Sequence, residues 1–349
     1  MYLVYIILFG LILFGVSINK NGINEDYISK VQCNAIKGVC IVLVFIRHIN
    51  GYLDEMGYDN NYILEKVARL INGCTMQYLV VPFLFFSGYG IAESLRVKGV
   101  SYVNSMPKKR LLATLLNFDV AVVIFLLLNV ILGREFTISD GLLSLVAWQS
   151  IGNSNWYIFA ILFLYLATYL GYKYSPDTKP IGNSNLGWVI ILVLVSVYII
   201  SMILFKKPHW YNTILCYPLG LLFSMYKKEC EMYITKNYRK STIAVSVLLI
   251  LSSIITYVWL PFHIISSMVL CAFLICMSMK VSLKSKALVW MGTNLFPLYI
   301  YQRVPMLVLS SEPFSNFMSQ NTAIYVMLCA LVTLLFGYLY KYINIQLKK

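Results

Sequence analysis

The sequence predicts an all-α protein: a polytopic transmembrane bundle of about eleven helices, with the N-terminus outside and the C-terminus in the cytoplasm. Three observations predict it. Of the 349 residues, 60% are hydrophobic and only 12% charged, against about 45–50% and about 25% in soluble domains. The apolar residues fall in near-continuous runs of the roughly 20 residues that cross a bilayer. Finally, 21 of the 28 lysines and arginines lie on one alternating set of loops and helix ends, and 7 on the other. That bias marks the cytoplasmic side. The formal charge of +14 is therefore a topology signal spread over short loops, which argues against a nucleic-acid partner.

Taken in order, the spans are expected at 2–18, 33–52, 74–95, 111–132, 155–174, 187–205, 210–226, 241–259, 262–280, 288–309 and 323–342. The first lacks the basic n-region and A-x-A-like cleavage site of a signal peptide, so it counts as a span. With its following loop (1–32) it stands apart from a core membrane domain over 33–349. The cytoplasmic loops hold Lys20 and Lys30, then Arg96 through Arg110, Lys173 and Lys179, Lys227 through Lys240, Lys280 through Lys286, and Lys341, Lys348 and Lys349. Outside lie an acidic loop over 54–73, with Asp54, Glu55, Asp59 and Glu65, and a loop over 133–155. Within the latter, 142–148 is apolar but too short to span, which fits an interfacial or re-entrant piece. No loop could house a soluble catalytic domain, so any chemistry belongs inside the bundle.

The eight cysteines form no CxxC pair and no zinc-type spacing. Cys33, Cys40, Cys216, Cys271, Cys276 and Cys329 fall in or beside spans, where cysteine serves as a small apolar side chain. Neither a disulfide nor a bound metal is expected.

The second span carries the most informative anomaly. It reads KGVCIVLVFIRH from Lys37 to His48. Eleven residues at about 1.5 Å each place His48 roughly 16 Å along the axis from Lys37. With Lys37 at the cytoplasmic surface, His48 lies in the outer half of the bilayer, where an ionisable group is costly and commonly functional. A neutral imidazole is a suitable general base for a hydroxyl; the plainer alternative is a histidine bonded to a carbonyl to lock packing. Arg47 points about 100° away around the helix, snorkelling outward or pairing with an acid. Asp119, inside the fourth span, could orient His48, pair with Arg47, or form a salt bridge with another cation of the bundle. Glu93 and Arg303 are comparable charges nearer helix ends. His209 and His263 fall at outer helix ends and read as interfacial.

Three further stretches carry polar groups. Lys108, Lys109 and Arg110 open the fourth span, where clustered cations suit the phosphates of a nucleotide-bearing donor, or equally a topology signal or anionic lipid. The segment from Val81 to Gly90, VPFLFFSGYG, combines a proline, a serine and two glycines. Small residues there permit close helix approach, and Ser87 can offer a hydrogen bond to the bundle. Asn153-Ser-Asn-Trp-Tyr157 is either an aromatic belt at an outer helix start or the rim of an acceptor groove.

In combination these features resemble the acyltransferase-3 family of membrane-bound acyltransferases. The family has a basic residue, ten intervening residues and histidine in its opening core helix, here Lys37 to His48. Its FF-x-x-SG-F/Y segment is matched by Phe85-Phe-Ser-Gly-Tyr89, and its basic cluster by Lys108-Lys-Arg110. The tryptophan-led helix appears as Asn155-Trp-Tyr-Ile-Phe, and the late G-x-x-S/N-hydrophobic-x-x-Y segment as Gly292-Thr-Asn-Leu-Phe-Pro-Leu-Tyr-Ile-Tyr-Gln-Arg303. The likeness spans about Cys33 to Tyr342 and leaves the family's usual ten helices plus one. Three positions depart from the pattern. Lys37 replaces the usual arginine and loses its bidentate fork, Ala113 stands where R-x-x-R has a second arginine, and 158–166 stays apolar where some relatives carry carboxylates.

The resemblance implies transfer of acetyl, or a similar acyl group, from cytoplasmic acyl-CoA (acetyl-CoA) to a hydroxyl of a cell-envelope polysaccharide or its lipid-linked precursor. It makes His48 the essential histidine and puts Lys37, Lys108, Lys109 and Arg110 near the CoA phosphates. We expect Asp119 to assist His48, Ser87 to face the donor, and Trp156, Tyr89 and Arg303 to face the acceptor. A compact branch acting on capsule or surface glycans, without an extracellular esterase-like domain, fits the length. The expected location is a bacterial cytoplasmic membrane; the sequence carries no signal for an oligomeric state. Two rivals remain open. A glycan flippase would show inverted repeats and paired broken helices, and a bare scaffold would tolerate alanine at His48 and Asp119. Stabilisation by CoA separates an acyl-CoA enzyme from the flippase.

Overall fold

A computed structural model describes residues 2–58, 63–75, 77–174 and 185–345; the expectations attached to Asp59, Lys179, Lys348 and Lys349 lie outside these residues. In order the chain forms α1 (Tyr2–Leu13), α2 (Lys30–Glu55), α3 (Ile63–Thr75), α4 (Val81–Lys98), α5 (Val100–Met106), α6 (Ala113–Ile131), α7 (Ile138–Leu145), α8 (Trp156–Lys173) and α9 (Asn185–Phe205). It continues through α10 (Cys216–Met225), α11 (Lys227–Lys236), α12 (Tyr238–Val258), α13 (His263–Ser278), α14 (Lys286–Thr293), α15 (Leu295–Tyr301), α16 (Arg303–Leu309), α17 (Ser315–Gln320) and α18 (Thr322–Ile343). A single antiparallel ribbon pairs β1 (Val16–Ile18) with β2 (Val281–Leu283).

The protein is an all-α polytopic bundle. Among the described residues, eight helical segments are long and apolar enough to cross a membrane, and Cys216–Met225 and Leu295–Leu309 are shorter apolar helices. These ten fall on the ten spans expected from residue 33 onward. All six cysteines assigned to spans are buried.

Local chemistry explains the differences. The first helix stops at Leu13, because the chain turns at Gly15, where φ is +81° and a Cβ would lie 2.9 Å from the Ser285 nitrogen. It then enters β1. The expected loop over 97–110 is mostly helical. Gly99, at φ +57°, ends α4, α5 follows, and a π-turn at Pro107–Leu112 carries the chain into α6. The expected span 288–309 is broken twice, at Asn294 and Gln302. Each break lies three residues before a proline, Pro297 and Pro305, whose ring excludes the carbonyl four positions back and whose nitrogen donates no bond.

Two seams organise the bundle, both made by glycine. A Cβ on Gly38 of α2 would lie 2.1 Å from the Leu288 carbonyl oxygen, and one on Gly292 of α14 only 1.8 Å from that of Asn34. The same reciprocal contact joins α4 to α10, through Gly88 against the Tyr217 carbonyl and Gly220 against that of Phe85, each at 2.1 Å. Without a Cβ, the helices approach backbone to backbone, the packing that small residues allow in membranes.

Contacts between loops join segments that the lysine and arginine count puts on one side. On the lysine- and arginine-rich side, Tyr27 donates to Glu231 at 2.9 Å and the Asn24 amide to the Ser278 carbonyl at 3.1 Å. On the other, Lys206 donates to the Trp148 carbonyl at 2.8 Å and Arg134 to Ser311 at 3.2 Å.

Candidate active site

The helices enclose a cavity of about 670 Å³, within the range of small-molecule sites. Each wall is a helical stripe, with spacings of three and four on one face. α4 gives Phe83 and Ser87; α8 gives Tyr157, Ile158, Ile161 and Tyr165. The π-turn and α6 together give Lys109, Arg110, Ala113, Thr114 and Asn117. Lys37 of α2 faces Gly292 and Thr293 of α14, and Tyr299 of α15 lies deeper. Asn117 binds the backbone of Ile345 in both directions, accepting from its N–H at 2.8 Å and donating to its carbonyl at 3.0 Å. This holds the segment after α18 against the cavity wall.

Electrostatically the cavity is one-sided. Three lining residues are cations, Lys37, Lys109 and Arg110, and none is an acid. Arg110 is held by the Tyr102 hydroxyl, which accepts from its Nε at 3.0 Å, and its guanidinium lies 5.9 Å from the centre of that ring. The arrangement suits a polyanionic ligand with a long apolar or weakly polar arm. Ser87 lies within hydrogen-bonding reach of Tyr157 and Tyr165, so the deeper wall is lined with hydroxyls.

His48 stands beyond the deep end of this cavity. Its ring centre is 6.5 Å from that of Tyr299, and Tyr299 in turn packs edge-on to Tyr157 at 5.5 Å. His48 Nδ1 is buried with no hydrogen-bond partner among the described residues. The charges closest to His48 are Arg303 and Arg47.

The remaining expected residues are distributed as follows. Arg303 is brought to His48, with its Nη1 donating to the Gly152 carbonyl at 3.4 Å. Asp119 is not among the cavity residues and makes no ion pair among the described residues; its Oδ1 is buried without a partner. It lies 200° around α6 from Asn117, away from the stripe that lines the cavity. Lys108 is exposed and outside the lining, one position off the same stripe. Tyr89, two residues beyond Ser87, packs against Phe223 at 5.9 Å on the other side of α4. Trp156 packs edge-on to Tyr157 at 6.0 Å and to His209 at 5.8 Å, near the outer rim. His263, expected at the interface, is instead fully buried. It stacks on Tyr78 at 4.4 Å, and its Nδ1 bonds to Ser267 at 3.0 Å. Glu93 accepts from Ser224 at 2.6 Å and pairs with Arg96, a structural role.

Sequence reasoning missed Tyr165, Asn117 and Thr293 in the lining and the position of Tyr299 beside His48. Two signals were readable. Tyr157 and Tyr165 are eight residues apart on one face of an apolar helix, and Tyr299 lies inside the late motif.

Neither a curated protein nor a solved structure matches the chain. The family model for the acyltransferase domain named acyltransferase-3, however, matches residues 31–342, from the start of α2 into the end of α18. With nearly the whole chain matched, the protein belongs to the acyltransferase-3 family of membrane acyltransferases.

Proposed function

We propose that this membrane acyltransferase moves an acyl group, most simply acetyl, from cytoplasmic acyl-CoA to a hydroxyl of a cell-envelope polysaccharide or its lipid-linked precursor. The observation that carries the reading is the cavity with three cations and no acid, ending at the tyrosine that faces His48. Lys37, Lys109 and Arg110 would hold the donor phosphates by charge-assisted bonds. The pantetheine arm would run along Phe83, Ile158 and Tyr157 toward Tyr299. His48 then takes the proton of the acceptor hydroxyl as its oxygen attacks the thioester carbonyl. The C–S bond breaks, and the proton passes to the departing thiolate, giving CoA-SH and the ester. In the covalent variant, His48 attacks the thioester first, the C–S bond breaks to release CoA thiolate, and the acylated imidazole then hands the acyl group to the hydroxyl, whose proton ends on the thiolate.

The test is the O-acetyl content of surface glycan from cells with wild-type protein, His48→Ala or no protein, at matched membrane levels. Loss of acetyl in His48→Ala to the level of the null supports both the reaction and the residue. Equal acetylation in all three excludes that glycan as acceptor. Acetylation by wild type and His48→Ala, but not by the null, would leave the protein an acyltransferase and remove His48 from the chemistry.

A further inference from the structure

His48 separates two different surroundings. Toward the cytoplasm lies the donor cavity. On the outer side, just past Tyr299, lies a group of buried hydrogen-bond donors left unsatisfied among the described residues. Arg303 makes no ion pair among the described residues. Its one bond is the long contact with the Gly152 carbonyl, and its Nε is buried without a partner. The loop it touches supplies two more polar groups. Asn153 is 1% exposed, and its Nδ2 has no partner among the described residues; Ser154 is 4% exposed, with its hydroxyl within reach of Tyr299. The Asn153 carbonyl oxygen already accepts from the Ile151 N–H at 3.2 Å, so its unused end is the donating one. Ser154 lies beside Tyr299, the ring that faces His48. The carboxylate at this end of α2, Glu55, acts on Tyr52 and forms no ion pair with Arg303.

A guanidinium N–H and an amide NH₂, both buried without a partner among the described residues, next to a hydroxyl whose one neighbour is Tyr299, are the chemistry of an anion site. Buried unmet donors and unpaired charge are costly; an incoming anion removes both costs at once. We propose that the acceptor is anionic, with a carboxylate or phosphate close to the hydroxyl that is acylated, and that Arg303, Asn153 and Ser154 grip that group on the outer side of His48. This rests on His48 being the transfer centre. It would also order the reaction in space: the donor arrives from the cytoplasmic side, and the acceptor is oriented by its charge from the other. The reacting hydroxyl then meets the imidazole between them.

The test is thermal unfolding of the purified full-length protein with millimolar glucuronate, glycerol phosphate or glucose, and separately with CoA. Wild type should be stabilised by glucuronate or glycerol phosphate and not by glucose; which anion acts tells an acidic sugar from a lipid-linked phosphate. Arg303→Gln should weaken the anion's apparent Kd about tenfold or more, as loss of a charge-assisted bidentate contact implies. Arg303→Lys, which keeps charge and loses the fork, should fall between. The double variant Lys109→Gln, Arg110→Gln should keep the anion response, which excludes binding at the donor cations. The proposal is overturned if neither anion stabilises wild type, or if Arg303→Gln responds as wild type does. CoA stabilisation retained in Arg303→Gln shows that the variant folds. Loss of the CoA response in wild type, with the anion response intact, would count against the donor reading and leave the anion site standing.

Discussion

The seam between α2 and α14 sets the distance between the two sides of the cavity, and one substitution measures it. A Cβ at Gly292 would lie 1.8 Å from the Asn34 carbonyl oxygen and 2.6 Å from its carbon, while ordinary contact begins at 3.4 Å. Gly292→Ala must therefore push the helices apart by about 1.6 Å (3.4 minus 1.8), since the obstacle is backbone and cannot rotate away. Overpacking of this kind costs about 1–3 kcal/mol, occasionally more, and a gap of even 0.5–1 Å forfeits a quarter to a half of each dispersion contact along the seam. Against this, alanine regains up to about 1 kcal/mol of helix propensity. The net expectation is destabilisation by about 1–2 kcal/mol. Gly51→Ala is the control on α2, because a Cβ there meets nothing within 4 Å; it should be neutral or stabilising by up to about 1 kcal/mol. Both are read by chemical or thermal unfolding of the purified protein. Gly292→Ala should also weaken CoA binding, because Lys37 and Thr293 line the cavity from opposite sides of that seam. Wild-type stability in Gly292→Ala, or equal losses in both variants, would refute the close-packed seam.

Replacing Lys37 and Arg110 by glutamine should raise the KM for acyl-CoA by about tenfold each with a smaller change in kcat, since a bond to phosphate is made equally before and during reaction; a pure kcat effect would place these cations elsewhere. Tyr217→Phe removes a buried hydroxyl bonded to Thr168 at 3.0 Å and should cost about 1 kcal/mol of unfolding free energy, with Tyr217→Phe/Thr168→Val close to additive only if that bond is absent. Lys206 lies 3.9 Å from the Trp148 ring centre and 4.6 Å from that of Trp210, so Lys206→Met should cost about 0.5–2 kcal/mol and shift tryptophan emission. Burial, and then the neighbouring Lys207, pull the half-buried His209 imidazole below its usual range. The unfolded chain takes up that proton more readily, so the contribution to stability is present above pH about 6.5 and is lost as pH falls through the lowered pKa; His209→Gln should flatten the unfolding profile in that window.

Much of the fold was legible because bilayer crossing leaves strong signals in sequence. The span of α8 was readable to within a residue at each end, and the alternation of the basic pattern agrees with the loop contacts. The pairing of Lys37 and His48 was legible too: eleven residues turn an α-helix through three turns plus about 20°, so both lie on one face. The breaks at Asn294 and Gln302 could have been derived from Pro297 and Pro305, but an apolar run of the right length conceals them. The ribbon of β1 and β2 could not be. Three residues give no period-two signal, and the partner strand lies more than 260 positions away. Arg303 illustrates the deeper limit. Its proximity to His48 depends on a kinked helix returning past a loop at 150–155, a fact about three segments at once. Asp119 shows the converse: its rarity in a span drew attention, yet its helical phase turns it from the cavity.

The glycines of the resembled motifs illuminate what such motifs preserve. Ser87-Gly88 and Gly292-Thr293 each pair a residue lining the cavity with a glycine buried in a seam. The serine and threonine hydroxyls stand at the cavity wall, and their separation from Lys37 and His48 is fixed by how closely the helices pack. A one-carbon change at either glycine alters that separation by more than an ångström, enough to misplace a thioester relative to an imidazole, since positioning errors of that size cost about a hundredfold in rate. The glycines should therefore tolerate substitution less well than the hydroxyls beside them. Ser87→Ala removes one bond at the wall, while Gly88→Ala moves the wall itself. A larger loss of activity in Ser87→Ala than in Gly88→Ala would reverse that order and make the serine a direct participant.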